Sequence, residues 1–281
     1  MSKGRIAFQG ELGANSHEAC VAAFPDMEPV PHPTFEAAFE AIKSGDCELG
    51  MIPVENSIAG RVADVHHLLP ASGLKIIGER FKPIRFQLMV NPGVKLEDVR
   101  TVSSMTIALA QCRNTVRRLK LEQEAVGDTA GAARLLSQRP DPHKAAIAPA
   151  LAAEIYGLDI LLRDIEDERH NTTRFMVMTA DPNPAPPPFT HRCITSFVFR
   201  VRNMPAALYK AMGGFATNGV NMTKLESYME NGAFTATFFY AEVDGRPEDR
   251  GLALAFEELG FFSEKFEILG IYPADPFRDR G

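Results

Sequence analysis

Four short stretches of this 281-residue chain carry hydroxyl, amide and small side chains at the ends of strand-like segments. They are Gly10-Glu-Leu-Gly13-Ala-Asn15-Ser16-His17, Glu55-Asn56-Ser57-Ile-Ala-Gly60, Ser103-Ser104-Met105-Thr106 and Gly127-Asp128-Thr129. Each stands where a helix is expected to begin, and Ser, Thr, Asn and Asp satisfy the orphan N–H groups of a first helical turn. Capping alone accounts for any one of them. Four together point further, because ligands of open α/β sheets bind beyond the carboxyl ends of the strands, where helix N-termini converge. Such termini offer free donors and a partial positive charge, which suits a small carboxylate- or phosphate-bearing anion. Ser16 and Thr129 are candidate anion-binding hydroxyls on this ground. The chain lacks Gly-Lys-Ser/Thr, and Gly10-x-x-Gly13 lacks the third glycine of the dinucleotide fingerprint, so no nucleotide cofactor is expected.

A fifth stretch, His170-Asn-Thr172-Thr173-Arg174-Phe175, precedes a closing strand. Arg174 offers a planar fork suited to a carboxylate. Thr173 has no adjacent His or Asp to activate it as a nucleophile. Glu55 serves as a general acid if burial raises its pKa, or orients its loop; both roles are open. His17 either touches a ligand or takes a capping or surface position. His66-His67 project from a predicted helix in different directions and make no metal pair, so no metal is expected.

Composition bounds the rest. Hydrophobic residues make up 45% and charged residues 23%, and the net charge is −6. This globular balance excludes a disordered or fibrous chain, and the mild acidity argues against nucleic acid or an anionic membrane as partner. No apolar run reaches the ~18 residues of a membrane span, and no signal core precedes the first strand, so a cytoplasmic location is expected. Cys20, Cys47, Cys112 and Cys193 form no Cys-x-x-Cys pair and read as buried thiols.

Asp181-Pro-Asn-Pro-Ala-Pro-Pro-Pro-Phe189 divides the chain. Before it, strands are expected at 5–9, 49–54, 74–90 (two segments), 99–102, 145–148 and 174–179. Helices are expected at 16–24, 35–44, 63–69, 107–120, 130–137 and 150–156. Strands separated by helices imply an α/β layered structure with largely parallel sheets. After the divide, the pattern predicts a strand at 194–202 and a helix opened by Pro205 and stopped at Asn218-Gly219. A hairpin around Glu230-Asn231-Gly232, a helix at 248–259 and a strand at 266–272 complete a ferredoxin-like βαββαβ unit.

Gly10-x-x-Gly13-x-x-Ser16, Ile52-Pro-Val-Glu-Asn-Ser57-x-x-Gly60 and Thr173-Arg174-Phe175 stand in the order and spacing of prephenate dehydratases. Thr129-Ala-Gly-Ala-Ala133 and Ala145-Ala-Ile-Ala148 also resemble that family's segments, and the second part resembles its ACT regulatory domain. The resemblance implies a two-lobed periplasmic-binding-protein-like catalytic domain over 1–180, a linker over 181–191 and an ACT domain over 192–281. It implies conversion of prephenate to phenylpyruvate, carbon dioxide and water in phenylalanine biosynthesis, without a cofactor, by the form lacking a chorismate mutase domain. It places Thr173 as principal catalytic residue, with Asn56, Ser104 and Gln111 at the site and Glu55 and Ser57 flanking Asn56. Arg174, Ser57, Ser16, Thr129 and Phe175 are then the candidate substrate contacts.

In the ACT part, Ala206, Ala207 and Leu208, with Asn221, Met222, Thr223, Glu226 and Ser227, match the segments that would bind the effector L-phenylalanine. The same resemblance implies a homodimer or homotetramer. Ser104-Met105-Thr106-Ile107 stands where the family often reads Ser-His-Pro-Gln, so no role of that histidine transfers. Glu226-Ser227-Tyr228-Met229 likewise departs from Glu-Ser-Arg-Pro. Arogenate dehydratase, the same elimination on the amino-acid analogue, and a non-catalytic amino-acid sensor remain the alternatives.

Overall fold

The computed structural model describes residues 3–189, 191–229 and 236–280. By packing, the chain forms two compact units, Met1–His66 with Arg80–Phe175, and His67–Glu79 with Met176–Gly281.

In chain order the first elements are β1 (Arg5–Gln9), α1 (Asn15–Ala23), β2 (Glu28–His32), α2 (Phe35–Lys43), β3 (Leu49–Asn56), β4 (Gly60–Arg61), α3 (Ala63–Leu68) and β5 (Lys75–Pro83). Next come β6 (Gln87–Val90), β7 (Thr101–Ser104), α4 (Thr106–Gln111), α5 (Arg113–Arg118), β8 (Glu122–Ala125) and α6 (Thr129–Gln138). Then follow β9 (Lys144–Ala148), α7 (Ala150–Tyr156), β10 (Asp159–Leu162) and β11 (Thr172–Thr179). One sheet has the order β2-β1-β3-β11-β5, with β4 beside β3, and the other has the order β10-β6-β9-β7-β8. The chain passes from the first sheet to the second through residues 84–86 and returns through 163–171. This double crossover builds the expected two-lobed, periplasmic-binding-protein-like α/β fold.

Local chemistry explains the elements. In α2 the apolar Ala38, Phe39, Ala41 and Ile42 recur on one buried face, and Thr34 Oγ1 caps the helix by accepting from the Ala37 N–H at 3.2 Å. Alanines of α6, β9 and α7 allow close packing in the second lobe. Gly13, at φ +90°, is pressed against α7: a Cβ there would lie 2.7 Å from Ala152 Cα.

Several expectations are corrected. The sheets are mixed, since β1 runs parallel to β2 and β3 while β6 runs antiparallel to β9 and β10. Strand β2 has no strand pattern in the sequence because Pro29 and Pro31 interrupt it, which an edge strand tolerates. Strands β8 and β10 also lie at an edge and carry weak patterns. The single helix expected at 107–120 is two, α4 and α5, because Cys112 leaves the helical region at φ −116°, ψ 19°. The strand expected at 99–102 lies at Thr101–Ser104. No helix opens at Glu55–Gly60; β3 continues to Asn56 and turns back as β4.

In the second unit, β12 (Cys193–Val201), α8 (Ala207–Thr217), β13 (Met222–Met229), β14 (Ala236–Asp244), α9 (Arg250–Phe262) and β15 (Ser263–Pro273) form the expected βαββαβ order, with sheet order β13-β14-β12-β15. The predicted turn at 230–232 lies outside the described residues. Pro205 precedes α8 rather than opening it, because Ala206 takes a left-handed conformation at φ +62°. Phe197, Phe199, Phe215 and Phe239 fill the core between sheet and helices. Elsewhere, Arg278 donates to Glu79 at 2.6 and 2.9 Å and to Glu242 at 3.1 Å, while Lys75 Nζ donates to the Ile268 carbonyl at 2.9 Å. Packing therefore groups 67–79 with the C-terminal residues, which a division at the proline-rich stretch does not anticipate. That stretch ends with Phe189 under the Arg246 guanidinium, 4.6 Å from ring centroid to charge.

Gly13→Ala should lower the unfolding free energy by about 2 kcal/mol or more, since it adds left-handed strain to a backbone clash. Urea denaturation of the variant against the parent checks this.

Candidate active site

The first unit holds a cavity of about 560 Å³ lined from both lobes. The β1–α1 loop contributes Gly10, Ala14, Asn15 and Ser16; β3 and the following turn contribute Asn56 and Ala59–Arg61; and β11 contributes Thr173 and Phe175. Ile84 and Phe86 enter from the outbound crossover, Met105, Ile107, Ala108 and Gln111 from α4 and its start, and Asp128 and Thr129 from the start of α6. Helices α1, α2, α3, α4 and α6 all begin at the cavity, with Phe35 of α2 and Ala63 and Asp64 of α3 also in its wall. Helix α6 is capped by Asp128, whose Oδ1 accepts from the Gly131 N–H at 2.8 Å. Helices α1 and α4 have no side-chain cap, so their first-turn amides retain donor capacity.

Thr173 sits within a directed hydrogen-bond array. Asn56 Oδ1 accepts from the backbone N–H groups of Ile58 and Ala59 at 3.0 and 2.9 Å. Asn56 Nδ2 donates to Thr173 Oγ1 at 3.0 Å, to Asn171 Oδ1 at 2.8 Å and to the Thr172 carbonyl at 3.2 Å. Asn171 Nδ2 in turn donates to Gln111 Oε1 at 3.1 Å. The Thr173 oxygen is therefore an acceptor towards Asn56 and keeps its proton for a further partner. Asn171 is fully buried. It lies inside the sequence stretch ending in Thr173-Arg174-Phe175, yet residue type alone gave no sign that it links Asn56 to Gln111.

Six candidates line this cavity: Thr173, Asn56, Gln111, Ser16, Thr129 and Phe175. Four do not. Ser104 is fully buried and donates to the Ile147 carbonyl at 2.7 Å, so its hydroxyl ties β7 to β9. Ser57 Oγ accepts from the Thr172 N–H at 3.0 Å and donates to the His170 carbonyl at 2.9 Å, clipping the turn to β11. Arg174 lies between Thr173 and Phe175 on a strand, so its side chain points to the opposite face. There it is 2% exposed, pairs with Glu55 at 3.2 Å and lies over Phe81. Glu55 is accordingly the partner of Arg174 and not a residue of the cavity wall, which fits the orienting role of the two left open.

His17 proves to be neither a cap nor a surface residue. It is 8% exposed, stacks on Phe8 with centroids 5.4 Å apart, and its Nδ1 accepts from the Gly13 N–H at 2.9 Å. It thereby holds the loop that lines the cavity. All four cysteines are buried and unpaired, and burial pushes the Cys20 thiol up to about 12. Among the described residues no cluster suits a metal ion, and no helix is long and apolar enough to cross a membrane.

The effector candidates fall in the second unit. Ala206 precedes α8, Ala207 is buried in the core, and Leu208 and Met222 pack against it. Asn221 Nδ2 donates to Asp244 at 2.8 Å, and Thr223 Oγ1 approaches the Glu242 carbonyl at 3.4 Å. Glu226 pairs with Lys224 at 3.5 Å, and Ser227 is exposed on β13.

Residues 6–183 match the family model described as prephenate dehydratase. The chain belongs to the prephenate dehydratase family. Among its relatives, a bifunctional N-acyl-homoserine lactone acylase/prephenate dehydratase of Komagataeibacter europaeus is 49% identical over 273 residues, 97% of either chain. Arogenate dehydratase/prephenate dehydratase 2 of Arabidopsis thaliana is 37% identical, covering 98% of this chain and 74% of that protein. The solved prephenate dehydratase of Arthrobacter aurescens in complex with L-Phe is 30% identical with a TM-score of 0.87, covering 96% of this chain and 90% of that one. In the setting of this prephenate/arogenate dehydratase family, the two-lobed cavity is the candidate active site.

Burial lowers the His17 pKa below 6.5, with Glu18 opposing. A folded-state value below the unfolded one means the unfolded chain binds the proton more readily. The stabilisation is complete above the unfolded value and is lost as pH falls through the folded value. Between pH 8 and 5, the Tm of the parent should drop more than that of His17→Asn, whose amide oxygen can still accept from Gly13 but does not titrate. Calorimetry across that range checks it.

Proposed function

We propose that this protein converts prephenate to phenylpyruvate, carbon dioxide and water, in an active site formed by the two lobes of residues 1–180. The observation that carries this reading is the Thr173 hydroxyl, which receives a hydrogen bond from Asn56 at 3.0 Å and so is set to donate. In the reaction the bond from the ring to its carboxylate breaks and its electrons complete the aromatic ring. The opposite hydroxyl departs on the hydrogen bond from Thr173, which keeps its own proton, and leaves as water after taking up one proton from solvent. Aromatisation supplies the thermodynamic drive, so the protein has only to bind, orient and stabilise.

The uncapped first turns of α1 and α4, with Ser16, Thr129 and Gln111, supply donors for a dianion. Ile84, Phe86, Ile107 and Phe175 give the departing carboxylate a less polar wall, which favours loss of its charge. Arg174 acts from behind this wall, holding Glu55 at the end of β3. Residues 192–281 are then an ACT domain that binds L-phenylalanine through the segments 206–208 and 221–227, following the proline-rich 181–191. A side-by-side homodimer or homotetramer accompanies that role.

Arogenate differs by one ammonium in place of a keto oxygen, and relatives carry both activities in their names, so both substrates belong in the assay. For an amide-cleaving acylase the geometry is less apt. A nucleophilic threonine needs a neighbour that accepts its proton, whereas Asn56 donates to Thr173, and among the described residues no histidine lines the cavity.

The purified protein incubated with prephenate near neutral pH should form phenylpyruvate, read by its absorbance in alkali. Thr173→Ala should lower kcat at least about a hundredfold, the loss expected for one transition-state donor, while still unfolding in one cooperative transition. A loss of only a few fold would remove Thr173 from the mechanism. L-Phenylalanine should inhibit the parent, and a change at Ser227 should shift that inhibition without altering kcat; unchanged inhibition would move the effector site elsewhere.

A further inference from the structure

We infer that Asn171 is a positioning residue that sets the hydrogen-bond polarity of the active site, so that Gln111 and Thr173 both face the substrate as donors. The inference rests on the proposed function, and its basis is the directionality of the side-chain amides. Backbone N–H groups are donors only, and those of Ile58 and Ala59 converge on one atom of the Asn56 amide at 3.0 and 2.9 Å. That atom must be the oxygen. The Asn56 nitrogen is thereby the end that reaches Asn171 at 2.8 Å and Thr173 at 3.0 Å. It meets Asn171 at an oxygen, so the Asn171 nitrogen is the end that meets Gln111, at 3.1 Å. Gln111 is left with its oxygen occupied and its nitrogen free to donate.

Each link forces the next. A turn at the end of β3 therefore dictates which end of a glutamine on α4 meets the substrate, in the other lobe. Asn171 is suited to this task because it cannot move. It is fully buried, its carbonyl accepts from the Ile84 N–H at 2.8 Å, and its N–H donates to the Glu168 carbonyl at 3.2 Å. Gln111 and Thr173 presented together as donors select a ligand with acceptors at that place, as a dicarboxylate with a departing hydroxyl has. Without Asn171 the Gln111 amide can turn over, and half of its orientations would present a carbonyl oxygen to a substrate oxygen.

The test is a double-mutant cycle between Asn171→Ala and Gln111→Ala, read in kcat/KM for prephenate with Tm measured on every variant. Asn171→Ala alone should lower kcat/KM about tenfold or more, the order of one lost oriented hydrogen bond. In the Gln111→Ala background the same change should cost about threefold or less, since the amide it orients is gone. Equal factors in both backgrounds, or no loss in the single variant, would overturn the inference. Should Asn171→Ala fail to fold, Asn171→Asp replaces it in the cycle, because it keeps the acceptor for Asn56 and drops the amide donor to Gln111. A second readout is independent of activity: the side-chain NH₂ signals of Asn56 and Asn171 should be protected from hydrogen exchange in the parent, and that of Asn56 should lose protection in Asn171→Ala. Rapid exchange of both in the parent would also overturn the inference. A parent inert towards prephenate and arogenate but with protected amides would instead overturn the functional reading.

Discussion

The side-chain amide of Asn56 is the constraint on which the site depends. Its oxygen closes the turn that ends β3, and its nitrogen holds β11 through Thr172 and Thr173 and the return crossover through Asn171. Ser57 doubles the join, exchanging backbone hydrogen bonds and side-chain hydrogen bonds with residues 170–172. A partly buried network of this kind is stable only when every member is satisfied, because an unpaired polar group there costs the full desolvation penalty. The requirement fixes geometry as well as stability. Few alternative arrangements of Asn56, Asn171 and Thr173 satisfy the same donors and acceptors.

Strand alternation turns this join into a two-sided device. On β11, Thr173 and Phe175 face the cavity, while Arg174 faces away into a half-buried pair with Glu55. The pair spans β11 and β3, the same two strands that Asn56 links on the cavity side. A pair with one partner buried is weak evidence for net stability, because desolvation of Arg174 offsets much of the attraction. Its contribution here is to alignment, holding the strand ends at which the turn and the threonine meet. The dipoles of α1 and α4 act on the ligand at short range, where a net charge of −6 spread over the surface is screened.

Much of this was legible in the sequence, and the failures have physical causes. Strand and helix patterns match β1, α2, β9 and α7 nearly to the residue, because β1 and β9 are short apolar runs buried on both faces and α2 buries one regular face. The βαββαβ order of the second unit was equally plain. Edge strands β2, β8 and β10 escaped because they bury little, and proline or charge breaks their patterns. The Glu55–Gly60 stretch reads as a helix start because the residues that cap a helix also close an Asx turn. Thr173, Asn56 and Gln111 could be named from the resemblance, but Arg174 and Ser104 could not be placed. The direction of a side chain on its strand depends on register, which composition does not reveal. Asn171 escaped for a further reason: its importance lies in a contact with residues 60 and 115 positions away.

The same polarity bears on what chemistry this fold can host. A hydroxyl that accepts from an amide has its lone pair engaged and its proton exposed, which suits stabilising a leaving group. A nucleophile needs the reverse, a lone pair exposed and a proton engaged by a base. The choice between the two is made by one neighbour, Asn56, and Asn56 is itself oriented by the backbone of its turn. Neither the threonine nor the two-lobed fold decides it. Chemistry in this cavity is therefore set by which end of an amide a β-turn captures, and a relative with the same threonine but another turn would present a different surface to its substrate.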